Sequence, residues 1–240
     1  MAHYRRMIKD GNRPAVLRAD RGDATREKLL NTAIDVFGRY GFDGATTRKL
    51  ADAAGVNLQA IPYYFGGKEG LYVAAAEHLA SIIGGHVGDL RTMIVSRLAE
   101  LDAEGAAMTS MEARHFLTQM VQRMIALFVS KESESWARFI IREQMEPTEA
   151  FKRIYGSIMG PMIEMARRLI GAILEDDPAS EHIRLRTLSF VGSVLVFRMA
   201  HAAVYAQLEW ESAGPKEIET LHRHAAELVA VLGAERDRRS

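Results

Sequence analysis

Residues 45–65 constrain this chain more tightly than any other stretch. Ala45-Thr46-Thr47-Arg48-Lys49-Leu50-Ala51-Asp52-Ala53-Ala54-Gly55-Val56-Asn57-Leu58-Gln59-Ala60-Ile61-Pro62-Tyr63-Tyr64-Phe65 reads as two short helices about a sharp turn. Thr46 is placed as a hydroxyl N-cap, and Leu50, Ala51 and Ala54 give the first helix an apolar face. Gly55 supplies the left-handed residue that reverses the chain within a few positions. Val56 fills the corner, Asn57 can cap the second helix, and Ile61 with Phe65, four apart, packs that helix back. Leu58, Gln59, Ala60, Tyr63 and Tyr64 are left facing outward, with Arg48, Lys49 and Lys68 around them. Small, amide and aromatic groups flanked by cations suit a duplex groove, where side chains meet base edges and cations meet phosphates. The plainer alternative is an αα-hairpin with a polar outer face.

Composition narrows the rest. A chain of 240 residues can bury a good core, in one large domain or two. Without cysteine it is neither a disulfide scaffold nor a thiolate–metal protein, and a reducing cytoplasm is compatible. The longest apolar run, Thr187 to Phe197, is far short of a membrane span and sits between Arg186 and Arg198, so no membrane association is expected. Arg5, Arg6 and Lys9 have no apolar segment behind them, so no secretory signal is visible. Strand-like alternation is scarce and Ala, Leu, Met, Glu and Arg abound, which predicts an all-α protein. The net charge of zero hides an asymmetry: residues 1–80 carry 12 Lys/Arg against 9 Asp/Glu, and the remainder carries the opposite bias. A basic front is compatible with nucleic-acid binding there.

Along the chain, residues 1–22 contain Gly11, Pro14 and Gly22, lack a sustained period, and read as a flexible basic arm. Asp23 is placed to cap a helix reaching Tyr40, with Leu30, Ala33, Ile34, Phe37 and Tyr40 as its buried stripe and Gly41 as its end. Gly66-Gly67 stops the second short helix, and a new one starts near Lys68, whose Glu69 suits the helix dipole. That helix runs to about Ala103, with Gly84, Gly85 and Gly88 as sites of bending or interruption. Phe116, Leu117, Met120, Met124, Leu127 and Phe128 then recur at helical spacing. Ser133 is placed to cap a helix that carries Trp136, Phe139, Ile140 and Met145 and stops at Glu146-Pro147. Helices follow from Thr148 to about Glu175, with a kink expected at Gly160-Pro161, from Ser180 to Leu208, and from Gly214-Pro215 to near Gly233.

Thr25-Arg26-Glu27 through Phe37 and Gly41, then Thr46 to Gly55-Val56, then Tyr63-Tyr64-Phe65 with Lys68-Glu69 and Leu71, resemble the N-terminal domain of the TetR family of transcriptional regulators. The resemblance implies a three-helix helix-turn-helix DNA-binding domain, placed at residues 23–70. It also implies a dimer that sets one such domain in each of two successive major grooves. Carried over position by position, it makes Thr46, Thr47 and Lys68 phosphate binders, Gln59, Ala60 and Tyr63 groove readers, and Tyr64 a backbone contact. Arg48 and Asn57 complete the candidate DNA-binding set. Two positions depart from the pattern. Lys49 stands where an acid usually completes a capping box, and lysine cannot accept a hydrogen bond. Pro62, counted from Asn57 as N-cap, is the fifth helical residue, where its missing N–H and ring clash cost about 3 kcal/mol in a regular helix. The recognition helix is therefore expected to begin later or to open as a looser turn.

Arg138-Phe139-Ile140-Ile141-Arg142-Glu143-Gln144-Met145-Glu146-Pro147-Thr148-Glu149-Ala150-Phe151, with Gly192, Leu195 and Phe197-Arg198, is similar to a signature of the CecR-like (YbiH-like) TetR subgroup. That resemblance implies a helical ligand-binding and dimerisation domain at residues 71–240, its last two long helices pairing with those of a second subunit. The segment 187–208 is apolar around most of its circumference, as a helix buried by its own core and by a partner must be. Met120, Met124, Phe128, Phe139, Met162 and Phe197 supply soft or aromatic surface for an effector pocket. Arg142 and His201 are the polar candidates in it, with core packing and structural ion pairing as the competing readings.

Other chemistry finds no support. Gly66-Gly67-Lys68 lacks the earlier glycine and the following Ser/Thr of a phosphate loop, having Pro62 and Glu69 in those places. His222 and His224, two apart on a helix, point about 200° from each other and cannot share a metal. No metal, catalytic or cofactor constellation is expected. The sequence thus predicts a cytoplasmic, homodimeric, ligand-responsive DNA-binding transcriptional regulator and no enzyme. Its expected partners are operator DNA and a small-molecule effector of unknown identity. It is expected to act as a repressor released from a palindromic operator. The alternative is a helical ligand-binding or protein-interaction module whose sequence reading Pro62 has impaired.

Overall fold

The structure is a computed structural model that describes residues 13–233, and helices make up all the regular structure among them. The chain divides into two compact units within one helix, between Ala75 and Ala76.

The front unit holds α1 (Arg13–Gly44), α2 (Thr47–Ala54), α3 (Ala60–Phe65) and the first residues of α4 (Lys68–Glu104). α1 is already helical well before Asp23, so Asp23 is not its N-cap. Residues 13–22 belong to this helix and not to an irregular arm; residues 1–12 of the expected arm lie outside the described residues. The helical path breaks at Gly41, whose φ of 72° and ψ of 176° only glycine adopts freely. Leu29, Leu30, Ala33, Ile34 and Phe37 of α1 are buried, as are Leu50, Ala51 and Ala54 of α2, Ile61 of α3, and Leu71 and Tyr72 of α4. Fully burying a side chain of the Leu, Ile or Phe class stabilises by about 1.5–3 kcal/mol. The Phe37 ring meets Tyr72 edge-on at 4.7 Å, and Phe42 meets the same tyrosine at 5.2 Å. Tyr40, expected in the buried stripe, is instead 51% exposed.

The second unit contains the rest of α4 with α5 (Ser110–Val129), α6 (Ser133–Met145), α7 (Glu149–Ile154), α8 (Gly160–Leu174), α9 (Glu181–Met199), α10 (His201–Leu208) and α11 (Pro215–Ala230). α5 is central, packing against α8, α9 and α11. Ile94 of α4, Leu117 and Ile125 of α5, Leu169 and Ile170 of α8, Ile183 of α9 and Ala225 of α11 meet in one core. Arg114 of α5 donates to the carbonyls of Val229 and Leu232, both at 2.6 Å. A cation thereby satisfies the open carbonyls at the C-terminal end of α11.

Four sequence expectations for the second unit change. α4 runs through Gly84, Gly85 and Gly88 without interruption. Ser133 is the first residue of α6 and not its cap; Ser130 Oγ accepts from the Ser133 N–H at 3.3 Å. The distortion expected at Gly160-Pro161 lies just before it, as a π-turn over Tyr155–Met159, where the ladder adjusts ahead of a residue with no N–H. The stretch 180–208 is two helices, α9 and α10, bent by 79° at Ala200.

Glu143 of α6 is only 1% exposed. Its Oε2 accepts from the Thr148 N–H at 3.1 Å, the Thr148 hydroxyl at 2.9 Å and the Phe151 N–H at 2.9 Å. One carboxyl group thus terminates α6 and caps the first turn of α7. Glu143→Ala should lower stability by about 3 kcal/mol, because three hydrogen bonds to one buried carboxyl group are lost together. Urea unfolding followed by circular dichroism measures this, and a loss below about 0.5 kcal/mol would contradict the assignment.

Candidate nucleic-acid interface

The corner is built as its sequence requires. Thr46 sits in extended backbone (φ −77°, ψ 152°), and its Oγ1 accepts from the Lys49 N–H at 3.1 Å. Gly55 is left-handed (φ 62°, ψ 41°). The Val56 N–H returns to the Ala51 carbonyl at 3.0 Å and the Gly55 N–H to Asp52 at 3.1 Å, which satisfies carbonyls the end of α2 leaves open.

Pro62 is accommodated by a change in how α3 begins. Asn57 Oδ1 accepts from the Gln59 N–H at 2.9 Å. The Ala60 and Ile61 N–H groups bond three residues back, to Asn57 at 2.9 Å and Leu58 at 3.3 Å. The Leu58 carbonyl, which residue 62 would serve in a regular helix, is thus already occupied by Ile61. Counted from Gln59 as N-cap, Pro62 is the third helical residue and not the fifth, within the turn whose N–H groups have no intrahelical partner.

Around the corner, side chains divide into outward and inward sets. Tyr63 is 80% exposed, and Arg48, Asn57 and Gln59 are exposed as well. Thr46 is also exposed, while Thr47, Ala60 and Tyr64 are half-buried. The Tyr63 and Tyr64 rings meet edge-on at 4.8 Å, which limits where the outer ring can swing. The Tyr64 hydroxyl reaches back to Gly22 of α1, 3.3 Å from where a Cβ there would stand. Lys49, unable to close a capping box, donates to the Gly44 carbonyl at 3.1 Å and lies 3.8 Å above the Tyr40 ring. This contact explains the exposed tyrosine. Lys68 donates to the Phe42 carbonyl at 3.1 Å and covers the Phe42 ring at 4.1 Å. Its ammonium ties the start of α4 to the turn after α1 and keeps further N–H donors for a phosphate. One contributor escaped the sequence reading. A Cβ at Gly70 would overlap the carbonyl of Phe65, so the end of α3 can lie on the first turn of α4 only over a glycine. The signal was a glycine in the first turn of an otherwise good helix.

The residues expected at an effector pocket lie for the most part in or against the core of the second unit. Met120 and Phe197 are buried in the core of the second unit, with Met124, Phe128 and Met162 packed against it. Phe139 is also buried, and His201 is half-buried with its ring stacked on Tyr205 at 4.0 Å. Arg142 is exposed; the helical phase of α6 turns its neighbour Glu143 inward instead. The arginine carried inward is Arg198, which donates to Ser133 Oγ at 3.1 Å. Burial pushes its guanidinium down from the ordinary value, against the attraction of Glu134 and Tyr205. None of these lines the pocket of about 650 Å³ that opens elsewhere in the second unit, between Glu77, Ser81, Gly84 and Arg91 of α4 and the segment from Lys152 to Ile158.

A capped pair of short helices with exposed amide and aromatic side chains, carried on a larger helical unit, defines a DNA-binding transcriptional regulator. Comparison with known proteins agrees. The model of the bacterial regulatory proteins of the tetR family matches residues 29–75. That of the HTH-type transcriptional dual regulator CecR, C-terminal domain, matches residues 113–235. The chain belongs to the TetR family, in the group that carries the CecR C-terminal domain. It is 29% identical over 212 residues to the HTH-type transcriptional dual regulator CecR of Shigella flexneri, covering 88% of this chain and 92% of that one. The HTH-type transcriptional repressor NicS of Pseudomonas putida is 38% identical over 63 residues, 26% of this chain and 30% of that one. Two solved structures share the fold. A TetR-family regulator from Mesorhizobium loti has a TM-score of 0.55 at 17% identity, over 89% of this chain and 97% of that one. FadR from Bacillus subtilis, solved in complex with stearoyl-CoA, has a TM-score of 0.55 at 14% identity, over 86% and 98%.

Two substitutions test the geometry of the corner. Pro62→Ala should leave stability within about 1 kcal/mol of the wild type, since only unfolded-state entropy changes. A gain near 3 kcal/mol would show a proline strained inside the helix. Gly70→Ala should lower the melting temperature and weaken DNA binding together, because α3 must move away from α4. Thermal unfolding and a mobility shift on the same sample check this, and an unchanged variant would refute the close approach.

Proposed function

We propose that this regulator is a homodimeric repressor that holds a palindromic operator until a small-molecule effector releases it. Its α3 helices would lie in successive major grooves, about 34 Å apart. Gln59, Ala60 and Tyr63 read bases, while Thr46, Thr47, Arg48, Tyr64 and Lys68 hold phosphates and Asn57 positions the helix start. The observation that carries this reading is the solvent exposure of Tyr63 and Gln59 on a helix otherwise anchored by the fully buried Ile61. An exposed tyrosine offers a ring face for apolar contact and a hydroxyl for a hydrogen bond, the two kinds of contact a groove provides.

The dimer rests on α9. Leu185, Leu188, Leu195, Val196 and Met199 are between 36% and 58% exposed, at spacings that bring them onto one side of the helix. A second copy of the same stripe would cover it. Effector release is supported by α4, which runs as one helix from Lys68, bound to the recognition domain through Phe42, to Glu104. A ligand that prefers one of two positions of this helix would shift operator affinity by its differential binding. Such a protein works in the cytoplasm. Among the described residues no single helix is long and apolar enough to cross a membrane.

A mobility shift with the promoter of the protein's own gene tests DNA reading. The wild type should bind with nanomolar, salt-dependent, sequence-selective affinity. Tyr63→Ala should keep its melting temperature and lose about 1–3 kcal/mol of discrimination between sites. Unaltered selectivity would remove Tyr63 from the groove. Leu188→Glu should give a monomer in sedimentation and lose operator binding; a dimer of normal affinity would place the interface elsewhere.

A further inference from the structure

The pocket of about 650 Å³ on the second unit is a built feature, and its position was not foreseen from the sequence. One wall is α4, where Ser81 and Gly84 keep the helix surface low. The other is the π-turn, which presents Gly156 and Ser157. A Cβ added at Gly84 or at Gly156 would meet nothing within 4 Å, so this space is open and not filled by a neighbouring side chain. Single π-turns inside helices occur frequently at functional sites, because they misalign the backbone ladder locally.

The charge in the pocket is uneven. Arg91, Lys152 and Arg153 line it against the single carboxylate of Glu77. Arg153 lies 3.5 Å from Glu77 and 3.1 Å from Glu149, and Lys152 lies 3.2 Å from Glu149. Arg91 makes no hydrogen bond or ion pair among the described residues and is half-buried. A guanidinium drawn off the surface with its planar fork unfilled matches an oxyanion in two parallel hydrogen bonds. Glu77 and Glu149 engage Lys152 and Arg153, which leaves Arg91 as the cation in surplus, and the Ser81 hydroxyl adds a neutral donor. The volume lies within the range of small-molecule sites and leaves room for an organic body beyond the charged head.

We propose that the groove between α4 and the Tyr155–Met159 π-turn binds a phosphate-bearing small molecule through Arg91, and that this molecule is the effector. The proposal rests on the reading of the protein as a ligand-released regulator and names the ligand class and its site. An anion held between Arg91 of α4 and the segment following α7 has a direct hold on the helix that begins at Lys68.

Calorimetric titration of the full-length protein with pyrophosphate, and with acetate at the same ionic strength, tests it. The wild type should bind pyrophosphate saturably and acetate far more weakly. Arg91→Gln should lose about tenfold in affinity. Gly84→Leu, which fills open space and favours the helix, should abolish binding while the protein remains folded. Arg223→Gln, on an exposed position of α11, should bind as the wild type does. No saturable binding, equal binding of acetate, or unchanged binding by Arg91→Gln would overturn the site. A mobility shift separates the two levels of the argument. Operator release by a cell-extract fraction that acts equally on the wild type and Arg91→Gln would keep the regulator reading and remove this site. Arg91-dependent pyrophosphate binding with unchanged operator affinity would keep the site and remove its role as the release switch.

Discussion

Helices of eight and six residues, the lengths of α2 and α3, do not hold together alone in water, where the cost of nucleation exceeds what so few hydrogen bonds return. Both exist because their apolar faces are buried against α1 and against each other. Leu50, Ala51 and Ala54 enter that core from one side of the Gly55 turn and Ile61 from the other, and Phe37 with Tyr72 fills its centre. The recognition surface is what remains outside once that packing is satisfied. Its precision therefore depends on contacts made within the unit itself. The Gly70 contact with the Phe65 carbonyl fixes where α3 ends, and the Lys68 bond to Phe42 fixes where α4 begins.

Much of this was legible in the sequence, because each device is local. Thr46, Gly55 and Gly66 act within three or four residues of themselves, and their chemistry is specific enough to read directly; Asn57, expected to cap α3, instead holds the turn before it, and Gln59 is the N-cap. Pro62 was legible only as a conflict. Spacing alone placed it deep in the helix, while the structure resolves the conflict by tightening the preceding turn. Lys49 shows the limit in another form. Its missing carboxylate was evident, but its use on Gly44 and Tyr40 depends on how α1 ends.

The second unit was less legible, since its determinants are distant in sequence and similar in kind. A methionine at helical spacing has the same signature whether it packs in a core or lines a cavity. Met120 is buried in the core, and Met162 is partly buried against it. The pair Arg142-Glu143 shows how one position of helical phase decides identity: the acid is buried and holds Thr148 and Phe151, and the arginine is exposed. The 79° bend at Ala200 has no glycine or proline to announce it, and the π-turn precedes the proline that would normally mark a kink. The open groove arises from glycines on separate elements, Gly84 and Gly156, whose joint effect no local pattern reveals.

The account stands on one claim, that the α2–α3 corner is a finished reading head whose outer side chains meet base edges. A crystal structure of the protein on its operator tests this most directly. Tyr63 and Gln59 should lie within hydrogen-bonding or van der Waals reach of bases in the major groove, with Thr46 on a phosphate and the first turn of α3 unchanged. A complex in which α3 lies away from the duplex, or refolds around Pro62 to reach it, would contradict the account.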